Sequence, residues 1–345
     1  MIGQFDVTNG EVALRARDVV VEYKRKHMPS VRALAGMSLD VLRGQVHGLV
    51  GESGCGKSTL GRAATGLVEV TSGSIDFEGK TVEPLGLRPR PRHFRRLQMI
   101  FQNAHASLNP RRTVGDQLAD ALLRSHDTPP PDRDRRISVA LERVGLPEAA
   151  SKRYPSDFSG GQRQRICVAR SLVAEPTVII ADEPISALDA SAQAQISNLL
   201  AELARDLGIG ILFISHDLAI VRQVADVVTV MYLGKVVESA STDQLWSRPL
   251  HPYSEALIAA APAHDGLGTL PEALAGDIPD PAVPPTGCRF HPRCKHAFEI
   301  CPVEEPALLD VGEGRRCACW LHTEAHRAGG DGPQAPGGSS GGLVS

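Results

Sequence analysis

The segment Gly51–Thr59 reads GESGCGKST, and its residue types and spacing, G-x-x-x-x-G-K-[ST], are those that hold a chain of phosphates. Glycines at Gly51, Gly54 and Gly56 leave room for the backbone N–H groups of this stretch, Ser53 and Cys55 included, to curl round an oxyanion. Lys57 would neutralise the β- and γ-phosphate oxygens, and Ser58, with Thr59 beside it, would place a hydroxyl on Mg²⁺. The helical stretch that follows, LGRAATGLV, points its N-terminus at the same spot and adds partial positive charge. A chance glycine-rich turn is the competing explanation. It fits poorly, because the apolar strand VHGLV precedes the segment and a helix follows it, the context this chemistry demands.

Two more chemical groups stand at the ends of apolar runs. Asp182 and Glu183 close the run Val178 to Ala181, and His216 follows the run Ile209 to Ile214. In an open parallel sheet, functional side chains gather beyond the carboxyl ends of the strands. An Asp there can hold Mg²⁺, and the adjacent Glu can polarise an attacking water. A lone His is usually structural, but His216 shares this sheet edge with the phosphate segment and is read as functional.

The elements that must position these groups follow from the hydrophobic pattern. Short β-branched runs (Val19 to Glu22, Val46 to Val50) open the chain. Further on, the helical pattern QRQRICVARSLVAE leads into TVIIADEP, and SAQAQISNLLAELARDLG leads into IGILFISHD. Helices alternating with continuously apolar strands predict an α/β fold, a parallel sheet covered on both faces. Residues from about 103 to about 175 read as an inserted helical subdomain, with the Pro-rich DTPPPDRDRR as a surface loop inside it. The pattern divides the chain into a nucleotide-binding domain over 1–265, a Pro-rich linker and cysteine-bearing module over 266–325, and a Gly-rich tail over 326–345 with linker composition.

Composition sets the outer limits. The 345 residues are 42% hydrophobic and 22% charged, ordinary values for a globular protein with a sizeable core. A formal net charge of −3 gives no reason to expect nucleic acid or an anionic membrane surface. No apolar stretch approaches the length of a membrane-spanning helix, and the first residues lack the pattern of a signal peptide. The expected place is the cytoplasm, where any contact with a membrane is made through a partner.

FSGGQRQR at 158–165 narrows the reading. Together with GESGCGKST, Gln102 in MIFQN, IIADEP, SALD at 186–189 and His216, it closely resembles the ABC ATPases, with the motifs in family order over roughly residues 10–260. The resemblance implies a P-loop NTPase with a RecA-like core, an antiparallel β subdomain and a helical subdomain. It implies two composite ATP sites at a head-to-tail dimer interface, in which Ser159, Gly160, Gly161 and Gln162 of one subunit cap the γ-phosphate held by the other. Gln102 would sense the γ-phosphate, join Ser58 and Asp182 around Mg²⁺, and touch a membrane subunit. Glu183 and His216 would act on the water, Asp189 would organise the dimer interface, and Tyr23 would stack on adenine. Phe158 stands where Leu is commoner and Gln45 where Glu often is, but neither change removes a catalytic group.

FQNAHASLNPR, YPSDFSGGQRQR, DEPISALD, HPYSEAL and GCRFHPRC further resemble the OppF/DppF-like subunits of dipeptide and oligopeptide importers. Asn103 replaces the usual acidic residue there. That subfamily implies a second ATPase subunit, two membrane permease subunits and an extracytoplasmic substrate-binding protein as partners. Nickel and glutathione importers share much of the pattern and stay open as alternatives, as does a non-transport ABC ATPase. Of seven cysteines, Cys288, Cys294, Cys301, Cys317 and Cys319 crowd together, the first three spaced C-x5-C-x6-C. This spacing suits structural zinc poorly, and thiolates with a Pro after one of them suit an iron–sulfur cluster better. The resemblance implies a [4Fe–4S] cluster on Cys288, Cys294, Cys301 and Cys319, with Cys317 an extra. Zinc, kept open by His291 and His296, and a metal-free module are the alternatives.

Overall fold

The computed structural model describes residues 11–25, 28–86, 90–125, 130–261 and 276–323. The chain opens with a long hairpin, β1 (Val12–Arg25) and β2 (Met28–Leu42), then β3 (Val46–Val50), helix α1 (Lys57–Ala64), β4 (Ser72–Phe77), β5 (Lys80–Thr81) and β6 (Leu97–Ile100). A helical stretch follows with α2 (Ala104–Ser107), α3 (Val114–Ser125), α4 (Pro130–Arg143) and α5 (Gly160–Leu172). Strand and helix then alternate through β7 (Val178–Asp182), α6 (Ala190–Leu207), β8 (Gly210–Ile214), α7 (Leu218–Val224) and β9 (Val227–Tyr232). β10 (Lys235–Ser241), α8 (Thr242–Ser247) and α9 (Pro252–Ala259) come next, and β11 (Leu309–Gly312) and β12 (Arg315–Cys317) end the described fold.

The eight-stranded sheet runs β11-β12-β10-β9-β3-β8-β7-β6. From β9 to β6 neighbouring strands are parallel, and at the other edge β10, β12 and β11 turn antiparallel. Because side chains alternate across a strand, β7 sends Ile179 and Ala181 into one core and Val178 and Ile180 into another. β8 divides the same way, with Ile211 and Phe213 on one side and Leu212 and Ile214 on the other. Burial on both faces is why these strands read as unbroken apolar runs. The first core is shared with α3 to α7, the second with α1 and the antiparallel sheet β2-β1-β4-β5. The expected α/β architecture is therefore present, with all three expected parts.

The prolines behave differently from the expectation. Pro130 and Pro131 open α4 instead of holding a surface loop. A Pro in the first helical turn lacks only an N–H that would have had no intrahelical acceptor, and its fixed φ already suits the helix. Residues 126–129 lie outside the described residues, as do 262–275 and the Gly-rich tail. The cysteine-bearing segment does not stand apart from the core. β12 pairs with β10 through Glu238↔Cys317 and Ser239↔Arg316, lengthening the main sheet. The buried carboxylate of Glu238 accepts from Arg315 at 3.0 Å and from the backbone N–H groups of Leu250 and His251. A fully buried charge is tolerable because all of these donors converge on it.

Candidate nucleotide site

β3 is buried along its whole length and delivers the chain into GESGCGKST at the carboxyl edge of the sheet. The turn that follows needs glycine at two points. Gly51 has φ 151, and a Cβ there would sit 2.1 Å from the Met231 carbonyl oxygen. Gly56, φ 107, precedes α1, and its Cβ would lie 2.3 Å from the Ala33 carbonyl oxygen. The loop is thus pressed against backbone on two sides, and Ser53 and Gly54 remain exposed at its crest. Lys57 is buried and folds back across the loop, donating to the carbonyls of Gly51 (2.7 Å) and Glu52 (2.9 Å) and lying 3.8 Å from the Cys55 sulfur. Its ammonium stands inside the curve where phosphate oxygens belong.

Ser58 Oγ donates to Asp182 Oδ1 at 2.8 Å, joining α1 to the end of β7. Asp182 is buried, and burial pushes its carboxyl above the usual range, while the Ser58 hydroxyl and Arg62 pull it back. A carboxylate so poorly solvated gains most from a divalent cation at its side. Next to it, Glu183 takes a left-handed backbone, φ 45, and donates its N–H to the Ile214 carbonyl at 3.0 Å. A non-glycine residue held there costs about 1 kcal/mol, and such strain persists where the surroundings over-determine it. The strained turn aims the Glu183 side chain between two others. Oε2 accepts from Gln102 Nε2 at 2.8 Å, and Oε1 lies 3.3 Å from His216 Nδ1. Three residues from three strand ends meet at one carboxylate.

The signature segment is placed elsewhere. Ser159 caps α5, its Oγ accepting from Gln162 N–H at 3.3 Å while Gln162 Oε1 accepts from Ser159 N–H at 3.0 Å. This capping box fixes the helix entry, takes up the Gln162 N–H, and leaves Ser159, Gly160 and Gln162 exposed there. Ser159, Gly160, Gly161 and Gln162 line a shallow pocket with Asp189, and no residue of 51–59 lines it. Asp189 itself caps α6, accepting from Ala192 N–H at 2.9 Å. Tyr23 lies exposed on β1, opposite Val31 of β2.

Residues 34–186 match the ABC transporter family, and residues 237–301 match the family described as oligopeptide/dipeptide transporter, C-terminal region. A peptide import ATP-binding protein of Brucella ovis is 46% identical over 307 residues, covering 89% of this chain and 96% of that protein. The chain belongs to the ABC transporter ATPases. The di/tripeptide transport ATP-binding protein DppF of Pseudomonas aeruginosa is 45% identical, covering 90% of this chain and 97% of its own. An ATP-binding cassette solved as a dimer in a post-hydrolysis state with ADP and Pi shares the fold at TM-score 0.58 and 24% identity, covering 66% of this chain and 98% of that one.

In this ABC ATPase the cysteine-bearing segment is closely packed. Cys288, Cys294, Cys301 and Cys319 line one small cavity with His291 and His296. Cys317 does not line it; it is buried on β12. Burial raises the Cys288 thiol to about 11 and the Cys319 thiol to about 12, and raises Cys294 and Cys317 as well. Such thiols stay protonated at neutral pH unless a cation compensates their charge. Among the described residues no three His, Cys, Asp or Glu side chains stand together so as to hold a metal ion. The four thiols share a cavity, but this arrangement supports neither the expected [4Fe–4S] cluster nor its zinc alternative.

Sequence reading missed the residues that grip the phosphate loop from behind. The Glu52 N–H donates to the Tyr253 hydroxyl at 2.9 Å. The Glu52 carboxylate pairs bidentately with Arg293, at 2.8 and 3.1 Å. HPYSEAL and GCRFHPRC, which carry Tyr253 and Arg293, were visible as motifs, but nothing in their spacing tied them to the loop. Among the described residues no helix is long and apolar enough to cross a membrane.

Proposed function

We propose that this ATPase drives import of dipeptides or oligopeptides through a membrane complex. It would pair with a second ABC ATPase subunit, dock on two permease subunits at the cytoplasmic face, and respond to an extracytoplasmic binding protein. The observation that carries this reading is the match of residues 237–301 to the oligopeptide/dipeptide transporter C-terminal region, a stretch containing both HPYSEAL and GCRFHPRC. The two peptide-transport relatives, similar over almost their whole length, support it.

The chemistry is assigned residue by residue. The N–H groups of Gly51 to Thr59 and the Lys57 ammonium hold the β- and γ-phosphates, and Ser58, Asp182 and Gln102 ligate Mg²⁺. Glu183 polarises the attacking water; of its two hydrogen-bonding neighbours, Gln102 senses the γ-phosphate and His216 steadies the γ-phosphate and the water. Tyr23 stacks on adenine. The outward-facing signature pocket, Ser159 to Gln162 with Asp189, closes on the partner's nucleotide in an ATP-bound dimer. Cys288, Cys294, Cys301 and Cys319 carry a [4Fe–4S] cluster as a structural staple. What supports this choice of ligands is that these four cysteines line one cavity and Cys317 does not, together with the Pro that follows Cys301.

ATPase activity of the chain co-purified with its membrane partners in lipid, with and without peptide-loaded binding protein, tests the transport reading. Stimulation by short peptides is expected. Turnover unmoved by peptides but raised by nickel- or glutathione-loaded binding protein would move the substrate to those solutes.

A further inference from the structure

Glu52, the second residue of the phosphate loop, is held at every polar atom it has. Its N–H donates to the Tyr253 hydroxyl and its carbonyl accepts from Lys57 Nζ at 2.9 Å. Both oxygens of its carboxylate are taken by the Arg293 guanidinium. Arg293 lies one residue before Cys294, in the turn His291–Arg293 of the cysteine-bearing segment. Its side chain is 3% exposed, donates a further bond to the Tyr232 hydroxyl at 3.3 Å, and sits 5.9 Å from the ring centres of Tyr232 and Phe290. One residue after Cys288, Arg289 donates to the Leu233 carbonyl, beside the Gly234 N–H that bonds the Cys55 carbonyl at 2.9 Å. The stretch from Cys288 to Cys294 therefore braces the phosphate loop, directly through Arg293 and indirectly through the Leu233 carbonyl that Arg289 holds.

We infer that Arg293 is a positioning residue for the phosphate loop, so that nucleotide affinity depends on the folded cysteine-bearing segment. A contact that merely fastened the segment to the core has no need of this ion pair. The segment is already fastened by the β12–β10 pairing and by Arg315 on Glu238. An almost buried ion pair gains little net stability over apolar packing, because desolvating two charges offsets most of their attraction. What it does supply is direction. A bidentate guanidinium fixes the plane of the Glu52 carboxylate, and with it the peptide whose carbonyl holds Lys57. The chain of contacts runs from the cysteine turn through Arg293 and Glu52 to the lysine that meets the phosphates. It holds whatever ligand the four thiols carry.

The test measures binding of a fluorescent ATP analogue to the full-length chain, with Lys57→Ala as the reference for a lost site. Arg293→Met is expected to weaken binding about tenfold, and Glu52→Gln about as much. The double variant should be no weaker than either single one, because both remove the same link. Arg293→Lys, which keeps the charge but not the fork, should recover part of the loss. Hydrogen exchange should quicken at the amides of 51–57 in Arg293→Met while α5 stays as protected as before. In the assembled transporter the loss should appear in KM for ATP, with kcat nearly unchanged. If Arg293→Met fails to fold, Glu52→Gln and Arg293→Lys carry the same comparison. Unaltered nucleotide affinity and unaltered loop exchange in a variant whose melting temperature has dropped would overturn the inference, as would single-variant losses that simply add.

Discussion

Ser58 and Asp182, 124 residues apart in sequence, are joined by a 2.8 Å hydrogen bond between the start of α1 and the end of β7. The pair brings a hydroxyl and a carboxylate to one point, the donor types that Mg²⁺ selects. Burial already disfavours the charge on Asp182, so removing that charge should weaken metal binding more than it weakens the fold. Asp182→Asn is expected to abolish the gain in ATP affinity on adding Mg²⁺, while affinity in EDTA stays close to wild type. Titrations with and without the metal check this. An Asp182→Asn chain that still tightens with Mg²⁺ would place the ion elsewhere.

Glu183 is the carboxylate at which Gln102 and His216 meet. Glu183→Gln keeps the shape and leaves the phosphate cradle intact, so ATP should bind as before. Turnover should fall by about 10² to 10⁴-fold, the usual worth of a general base. With hydrolysis blocked, the ATP-bound dimer should persist and elute as a larger species on gel filtration with ATP. Turnover at the wild-type rate would remove Glu183 from the role.

Much of this site was legible because the relevant residues sit in strong local patterns. Asp182, Glu183 and His216 follow apolar strands, and strand ends on a parallel sheet converge whatever the loops do. The left-handed turn at Glu183 was not legible, since no residue type announces it. The bond between Glu52 and Arg293 spans 241 positions, and no periodicity or spacing reports a contact of that range. β12 is three residues long, RRC, and draws its strand character from β10 alongside it and not from its own composition. Pro130 and Pro131 suggest a loop by residue type, yet position in the first turn decides what a proline does.

His251 caps α9 with an unprotonated ring nitrogen, Nδ1 accepting from the Tyr253 N–H at 3.0 Å. It is buried, and burial lowers its pKa from 6.5 to about 3; His322 nearby acts in the same direction. His47, buried beside Thr229, is lowered to about 4. The unfolded chain takes up protons at these two sites below about pH 6.5, and the folded chain does not until pH is much lower. Stability from both is therefore fully present above that pH and is lost as pH falls towards about 4 for His47 and about 3 for His251. Each contributes about 1.4 kcal/mol per pH unit within its window. Asn is a good helix cap and does not titrate, so His251→Asn should remove one proton's share of the slope. Urea denaturation between about pH 7 and about pH 5 checks this; equal slopes in the two chains would refute it.

Cys317 and Cys319 are two residues apart, yet they face different surroundings. Cys319 lines the cavity with Cys288, Cys294 and Cys301, and Cys317 is buried on the strand that pairs with β10. A strand sends alternate residues to opposite faces, but residues two apart share a face only while the strand continues. β12 ends at Cys317, and Cys319, still extended, leads into the turn Trp320–His322 that closes the cavity's rim. Cys317→Ala should therefore cost about 1 kcal/mol of stability through a small cavity and leave any bound iron and acid-labile sulfide unchanged in anaerobically purified protein. Cys319→Ala should lose both together. Wild-type protein carrying stoichiometric zinc and no sulfide would refute the cluster outright. Loss of iron in Cys317→Ala with retention in Cys319→Ala would refute the division of roles between the two thiols.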